Sequence, residues 1–129
     1  LTLRGGGVGE ASADGGAAAL RKLLEMDDGA RRLGEIALVP HRSPISQSGL
    51  LFYNTLFDEN AACHVALGRA YETTFRDGTT RPLEELQRDG FNQSLTHVDF
   101  MFGSGDLDVD GELPTGEREA VMRGGSWAF

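Results

Sequence analysis

The chain has 129 residues, a formal net charge of −8 and an isoelectric point near 4.7, with 40% hydrophobic and 25% charged residues. This is ordinary composition for one globular domain large enough to bury a core. The acidity leaves no basic stripe for nucleic acid, and no apolar run approaches the roughly 18 residues of a membrane span. The single cysteine, Cys63, excludes an internal disulfide and suits a reducing cytoplasm, and the first residues do not read as a signal peptide.

Residues 1–4 and 8–11 flank Gly5-Gly6-Gly7 and read as a hairpin. The glycines do not make a phosphate loop, because Gly5, Gly7 and Gly9 are followed by no fitting third glycine. Leu1-Thr2-Leu3-Arg4 reads as the middle of a strand rather than a start of translation, so the sequence is expected to be a fragment. A helix is predicted over residues 17–26, with Leu20, Leu23 and Leu24 on one face, Asp14 as its cap and Asp27-Asp28-Gly29 at its end. A helical turn is expected over 30–33, then a mostly buried strand over 35–39 closed by Pro40. Glu35 opens that strand, an uncomfortable place for a carboxylate; an ion pair with Arg31 or Arg32 is one explanation.

Residues 41–49 read as a Ser- and Pro-rich loop and 50–57 as strand or irregular core. Residues 59–70 have helical composition, and a short helix is expected over Leu83–Arg88. Strands are predicted over 97–102, over 106–110 with a turn at Asp110-Gly111, and over 121–123 with 126–129. The fold class is therefore α/β, a mixed and largely antiparallel sheet with flanking helices.

Two of the three histidines stand among potential metal ligands. His97 and Asp99 alternate on a strand, so both side chains leave the same face. On the predicted helix His64 and Tyr71 lie two turns apart, which puts them on one face but about 10 Å from each other. Imidazole, carboxylate and phenolate suit zinc, cobalt or manganese, and a pair of ions about 3.5–4 Å apart, with Glu35 as a bridge, would relax the spacing. Taken singly, His97 and Asp99 also fit a strand with one polar face, and His64 fits a satisfied helix histidine.

Two other patterns in the chain point elsewhere. Asp106-x-Asp108-x-Asp110-Gly111 with Glu117 fits the calcium-loop pattern, but no helices flank it, and Pro114 and Gly116 sit badly in its second half. Cys63 beside His64 would splay away from it on a helix, so it reads as a small packed hydrophobe rather than a nucleophile.

Several ordered blocks resemble the M29 metalloaminopeptidases of the aminopeptidase T and aminopeptidase S type. They are GARRLGEIALVP from Gly29 to Pro40, SPISQSG from Ser43 to Gly49, LFYNTLFDEN from Leu51 to Asn60, Cys63-His64 with Tyr71, HVDFM from His97 to Met101, and RGGSWA from Arg123 to Ala128. The resemblance covers nearly the whole chain. It implies an exopeptidase that releases N-terminal residues from peptides with two divalent ions, zinc, cobalt, magnesium or manganese. The family's ligand positions fall on Glu35, His64, Tyr71, His97 and Asp99. The family is generally cytoplasmic and homodimeric, acting on peptides with no nucleic acid or membrane partner. Its members are longer, with an N-terminal region that adds a further glutamate ligand. Residues 1–129 are therefore expected to be the C-terminal metal-binding portion of a two-domain peptidase. The alternative is a non-catalytic dimerisation or structural fragment of such an enzyme.

Overall fold

The computed structural model describes residues 1–129. Its strands are β1 (Thr2–Arg4), β2 (Gly7–Glu10), β3 (Leu33–Ala37), β4 (His64–Gly68), β5 (His97–Met101), β6 (Val109–Glu112), β7 (Arg118–Arg123) and β8 (Ser126–Trp127). Its α-helices are α1 (Ala17–Leu24), α2 (Pro44–Ser48), α3 (Thr55–Asp58) and α4 (Leu83–Arg88). The strands hydrogen-bond as β1-β2, β3-β4-β5 and β6-β7-β8, so the class is mixed α/β with antiparallel pairing, as expected. No helix is long and apolar enough to cross a membrane. The chain divides into one unit of residues 1–36 with 65–99 and another of 37–64 with 100–129.

In the first unit β1 and β2 form the predicted hairpin. Gly5 and Gly6 take φ of 55° and 76° at its turn, a conformation that two-residue hairpin loops demand. Helix α1 ends at Leu24, and its N-cap is Gly16 in the left-handed region rather than Asp14. Asp27 instead caps the following 3-10 turn, Asp28–Arg31, accepting from the Ala30 amide at 2.8 Å. That cap starts the turn two residues before the predicted one. The same carboxylate accepts from the Leu95 amide at 2.7 Å and the Ser94 hydroxyl at 2.9 Å, and so ties the turn to the segment before β5. Nearby, the buried Asn92 side-chain amide donates to the carbonyls of Gly29 at 2.8 Å and Gly68 at 2.6 Å. Helix α4 falls on its predicted residues; its Leu86 is buried with Ala70 and Phe91, and Phe75 packs against them.

The largest departure is β4. The helix predicted over 59–70 is a short 3-10 turn, Glu59–Ala61, and then a strand. Within that strand His64, Ala66, Leu67 and Gly68 are buried and only Val65 is partly open. A strand covered on both faces reads as an unbroken apolar run, and so short a run carries no period to separate it from a helix. Alanine's helix preference is a fraction of a kcal/mol and yields to such packing. Gly68 closes the strand at φ +105°, with the Thr96 carbonyl oxygen only 2.1 Å from where a Cβ would stand. Strand β3 begins two residues earlier than predicted, and Pro40 lies beyond its end.

In the second unit, the loop expected at 41–49 contains α2. Ser43 caps it, Pro44 fills its first turn and Gly49 closes it at φ 64°. Residues 50–57 are not core: Leu50, Leu51, Phe52, Tyr53, Leu56 and Phe57 are exposed, and α3 begins at Thr55. Strand β6 starts at Val109, and Gly111 lies inside the ladder opposite Glu119, not in a turn. The chain turns at 113–116, where Gly116 donates to Leu113 and Leu113 to Glu117, each at 2.8 Å. The calcium-loop alternative fails on this geometry: Asp108 accepts from the Gly124 amide at 2.8 Å, Asp110 pairs with Arg123, and the segment is a β-hairpin. Cys63 is buried, with its sulfur 3.2 Å from the Val39 amide and 3.8 Å from the Met122 sulfur, so it packs as expected.

Asp27 yields a prediction about pH. The Leu95 amide above all, with Ser94 and the Ala30 and Gly29 amides, holds its carboxyl below the ordinary carboxylate value. Across the interval between the lowered folded value and the unfolded one, the unfolded state binds more protons, so stability falls as pH falls through that interval. Urea midpoints measured from pH 6 downward should fall less steeply for Asp27→Asn than for the parent. An identical acid limb in both proteins would show that Asp27 carries none of it.

Candidate metal centre

In the first unit the sheet brings Glu35, His97 and Asp99 together. Strand alternation puts His97 and Asp99 on one face of β5, as predicted, and Glu35 comes from β3. The His97 Nε2 atom lies 3.5 Å from Glu35 Oε2 and 3.5 Å from Asp99 Oδ1. Both separations exceed an ordinary hydrogen bond, which runs to about 3.2 Å. They match instead the edge of a coordination shell: donors about 2.1 Å from one ion and roughly 109° apart stand about 3.4 Å from each other. Glu35 therefore faces His97; the guanidinium of Arg31 turns away to the Val8 carbonyl.

Asp99 is the sharpest test of fit. Its side chain is 4% exposed, yet neither carboxylate oxygen receives a hydrogen bond. Native structures rarely leave a buried carboxylate so, since desolvating its charge costs several kcal/mol without compensation. A cation supplies that compensation, and the donors around Asp99 are the oxygen and nitrogen types that divalent ions take.

His97 is oriented for the same task. Its Nδ1 lies 2.7 Å from the carbonyl oxygen of Arg69. A carbonyl can only accept, so Nδ1 carries the proton and the lone pair of the neutral ring sits on Nε2, toward the two carboxylates. Tyr71 stacks on this imidazole with ring centroids 4.8 Å apart. Beside it, the Glu72 carboxyl is held below its ordinary value by its own backbone amide and by Arg69.

Four of the five residues expected at the site, Glu35, Tyr71, His97 and Asp99, are thus neighbours. His64 shares no helix face with Tyr71, because no helix forms there; it opens β4, the middle strand of β3-β4-β5, and is 3% exposed. Its Nδ1 lies 3.0 Å from the Ala62 carbonyl oxygen, which again leaves Nε2 as the lone-pair nitrogen. Sequence reasoning missed the Arg69 carbonyl, since a backbone acceptor leaves no trace in residue type.

A model of the family described as thermophilic metalloprotease (M29) matches residues 1–127. The chain is 59% identical to aminopeptidase 2 of Geobacillus stearothermophilus over 129 residues, all of this chain and 31% of that protein. It is 50% identical to aminopeptidase AmpS of Bacillus subtilis, again over its whole length and 32% of the relative. The solved structure titled wild-type AmpT from Thermus thermophilus superposes with a TM-score of 0.88 at 47% identity, over 98% of this chain and 31% of that one. The chain thus spans about a third of the length of these relatives.

The Arg69 contact sets an expectation for His97. In alkaline solution, where the imidazole is neutral, nitrogen-15 spectra should show the His97 proton on Nδ1, and zinc should shift Nε2 while that proton stays. A proton on Nε2 in the neutral ring would contradict the orientation described.

Proposed function

We propose that this chain, which belongs to the M29 family of thermophilic metalloproteases, contributes the metal ligands of an aminopeptidase that releases N-terminal residues from peptides. The observation that carries the reading is the buried Asp99 carboxylate, without a hydrogen bond and facing the lone-pair nitrogen of His97. The proposed ligands are Glu35, His64, Tyr71, His97 and Asp99. Within the first unit Glu35, His97 and Asp99 offer the mixed imidazole and carboxylate donors of a divalent site.

These residues would hold two divalent ions, with Glu35 the carboxylate shared between them. Divalent ions held there supply Lewis-acid polarisation of a peptide carbonyl and a water made acidic enough to ionise near neutral pH. The chain's own part is to orient. The Arg69 and Ala62 carbonyls fix the two imidazole tautomers, and β3 and β5 hold the carboxylates at a set separation. The ring of Tyr71 stands against His97, tilted 49° to it with centroids 4.8 Å apart. Assembly as a homodimer in the cytoplasm belongs to the same reading.

Metal analysis combined with hydrolysis of an aminoacyl-p-nitroanilide tests it, on this chain and on a full-length family member carrying it. Glu35→Ala, His64→Ala, His97→Ala and Asp99→Ala should each lower metal affinity by at least about tenfold and the rate by on the order of 100-fold, since even outer partners of ligands carry that much. Unchanged metal content and rate in all four would refute the site. Metal uptake and assembly with no turnover in the full-length protein would instead mark a non-catalytic segment.

A further inference from the structure

The Arg69 carbonyl orients His97 only if the peptide that bears it is held still, and the structure shows what holds it. Residues 68–70 leave β4 through Gly68, and every backbone amide among them is bonded. Gly68 donates to the Arg32 carbonyl at 2.8 Å, Arg69 to Thr96 at 2.7 Å and Ala70 to Asn92 at 2.9 Å. Two of the carbonyls are bonded as well: Gly68 accepts from the Asn92 side chain at 2.6 Å and Arg69 from His97 at 2.7 Å.

Asn92 therefore grips this segment twice, by its side-chain amide before Arg69 and by its backbone carbonyl after it. Its second amide hydrogen goes to the Gly29 carbonyl at 2.8 Å, which anchors the grip to the turn before β3, the strand of Glu35. A buried amide 8% exposed with both hydrogens used in this way rotates little.

We propose that Asn92 is a positioning residue for the metal centre: it holds the Gly68–Arg69–Ala70 segment so that the Arg69 carbonyl takes the Nδ1 proton of His97 and aims Nε2 at Glu35 and Asp99. The proposal rests on the metal-site reading above and extends it from ligands to the frame that aims one of them. It names no substrate contact for Asn92. Removing its side chain frees the Gly68 carbonyl and lets the Arg69 peptide tilt, which unfixes the imidazole without touching a ligand.

The test compares Asn92→Ala with the parent and with Leu24→Ala, which lowers stability by truncating the buried side chain of α1. Asn92→Ser retains one short donor and serves where alanine unfolds the chain at the assay temperature. Two readouts are taken, the nitrogen-15 tautomer of His97 in the metal-free protein in alkaline solution and Co2+ affinity by absorbance titration. Asn92→Ala should mix the two His97 tautomers and weaken Co2+ binding roughly tenfold, the lower end of what outer partners of metal-binding histidines carry. Asn92→Ser should fall between it and the parent, and Leu24→Ala should leave both readouts unmoved. If the parent binds Co2+ and Asn92→Ala binds it equally with the Nδ1 proton retained, the role given to Asn92 is wrong and the metal reading stands. If Leu24→Ala matches Asn92→Ala in both readouts, the effect is general stability and the proposal is overturned. A parent that takes up no Co2+, with the tautomer still released in Asn92→Ala, would remove the metal reading and leave Asn92 as the residue that orients His97.

Discussion

The constraint on which this structure turns is a charge that the protein alone does not settle. Glu35 and Asp99 converge on one imidazole nitrogen at 3.5 Å each, and Asp99 is 4% exposed without a hydrogen bond. Two carboxylates and an imidazole so placed are a donor set that suits a divalent ion. An uncompensated buried carboxylate costs several kcal/mol, a large share of the roughly 5–15 kcal/mol by which domains are stable. A chain does not keep such a group by accident of packing, and the cation that offsets it is also the one that would do chemistry there.

The rest of the first unit can be read as the apparatus that places those groups. Strand alternation puts His97 and Asp99 on one face, but alternation does not set the ring orientation of a histidine. A backbone carbonyl does, and backbone is the stiffest acceptor available once its own peptide is tied on both sides. Asp27 and Asn92 tie the turn before β3 to the segments beside β4 and β5. Both are side chains that grip backbone groups, so the frame hangs on these two residues. Placing ligands on strands and fixing their tautomers from a rigid turn keeps the geometry within the tolerance that metal sites require.

Chemistry was easier to see in the sequence than conformation. Glu35 at the head of an apolar strand, and His97 spaced from Asp99 by one residue, announced themselves because a charged group in a buried-looking segment needs a reason. Helix α4 and the Gly5-Gly6 hairpin were legible because Pro82 ahead of the helix and the glycine pair of the turn act locally. Strand β4 was not, since its five residues are buried almost throughout and the signal that would separate strand from helix is an exposed face. Helix α2 was legible in principle: Ser43, Pro44 and Gly49 are a start and a stop, but their loop-forming composition outweighed their order. In the Asp106–Asp110 run the same acidic spacing serves an ion loop or a wet strand face. Long-range pairing with β7, which no local pattern reports, decided between them.

The position of Cys63 bears on which ion the site would favour. It adjoins His64 in sequence and is the one thiol the chain possesses. Were its thiolate in the centre, the site would lean toward structural zinc or other thiophilic metals. Instead its sulfur is 3.2 Å from the Val39 amide, 3.3 Å from the Val39 carbonyl and 3.8 Å from the Met122 sulfur, and these contacts hold it in the packing. The donors left to an ion are imidazole, carboxylate and phenol. Such a set binds divalent ions less tightly than thiolates do and discriminates less among zinc, cobalt and manganese. It also leaves the bound ion more electron-poor, and an electron-poor ion polarises a carbonyl and acidifies a water more strongly. Withholding the cysteine therefore trades affinity for Lewis acidity, the exchange that separates a hydrolytic centre from a structural one.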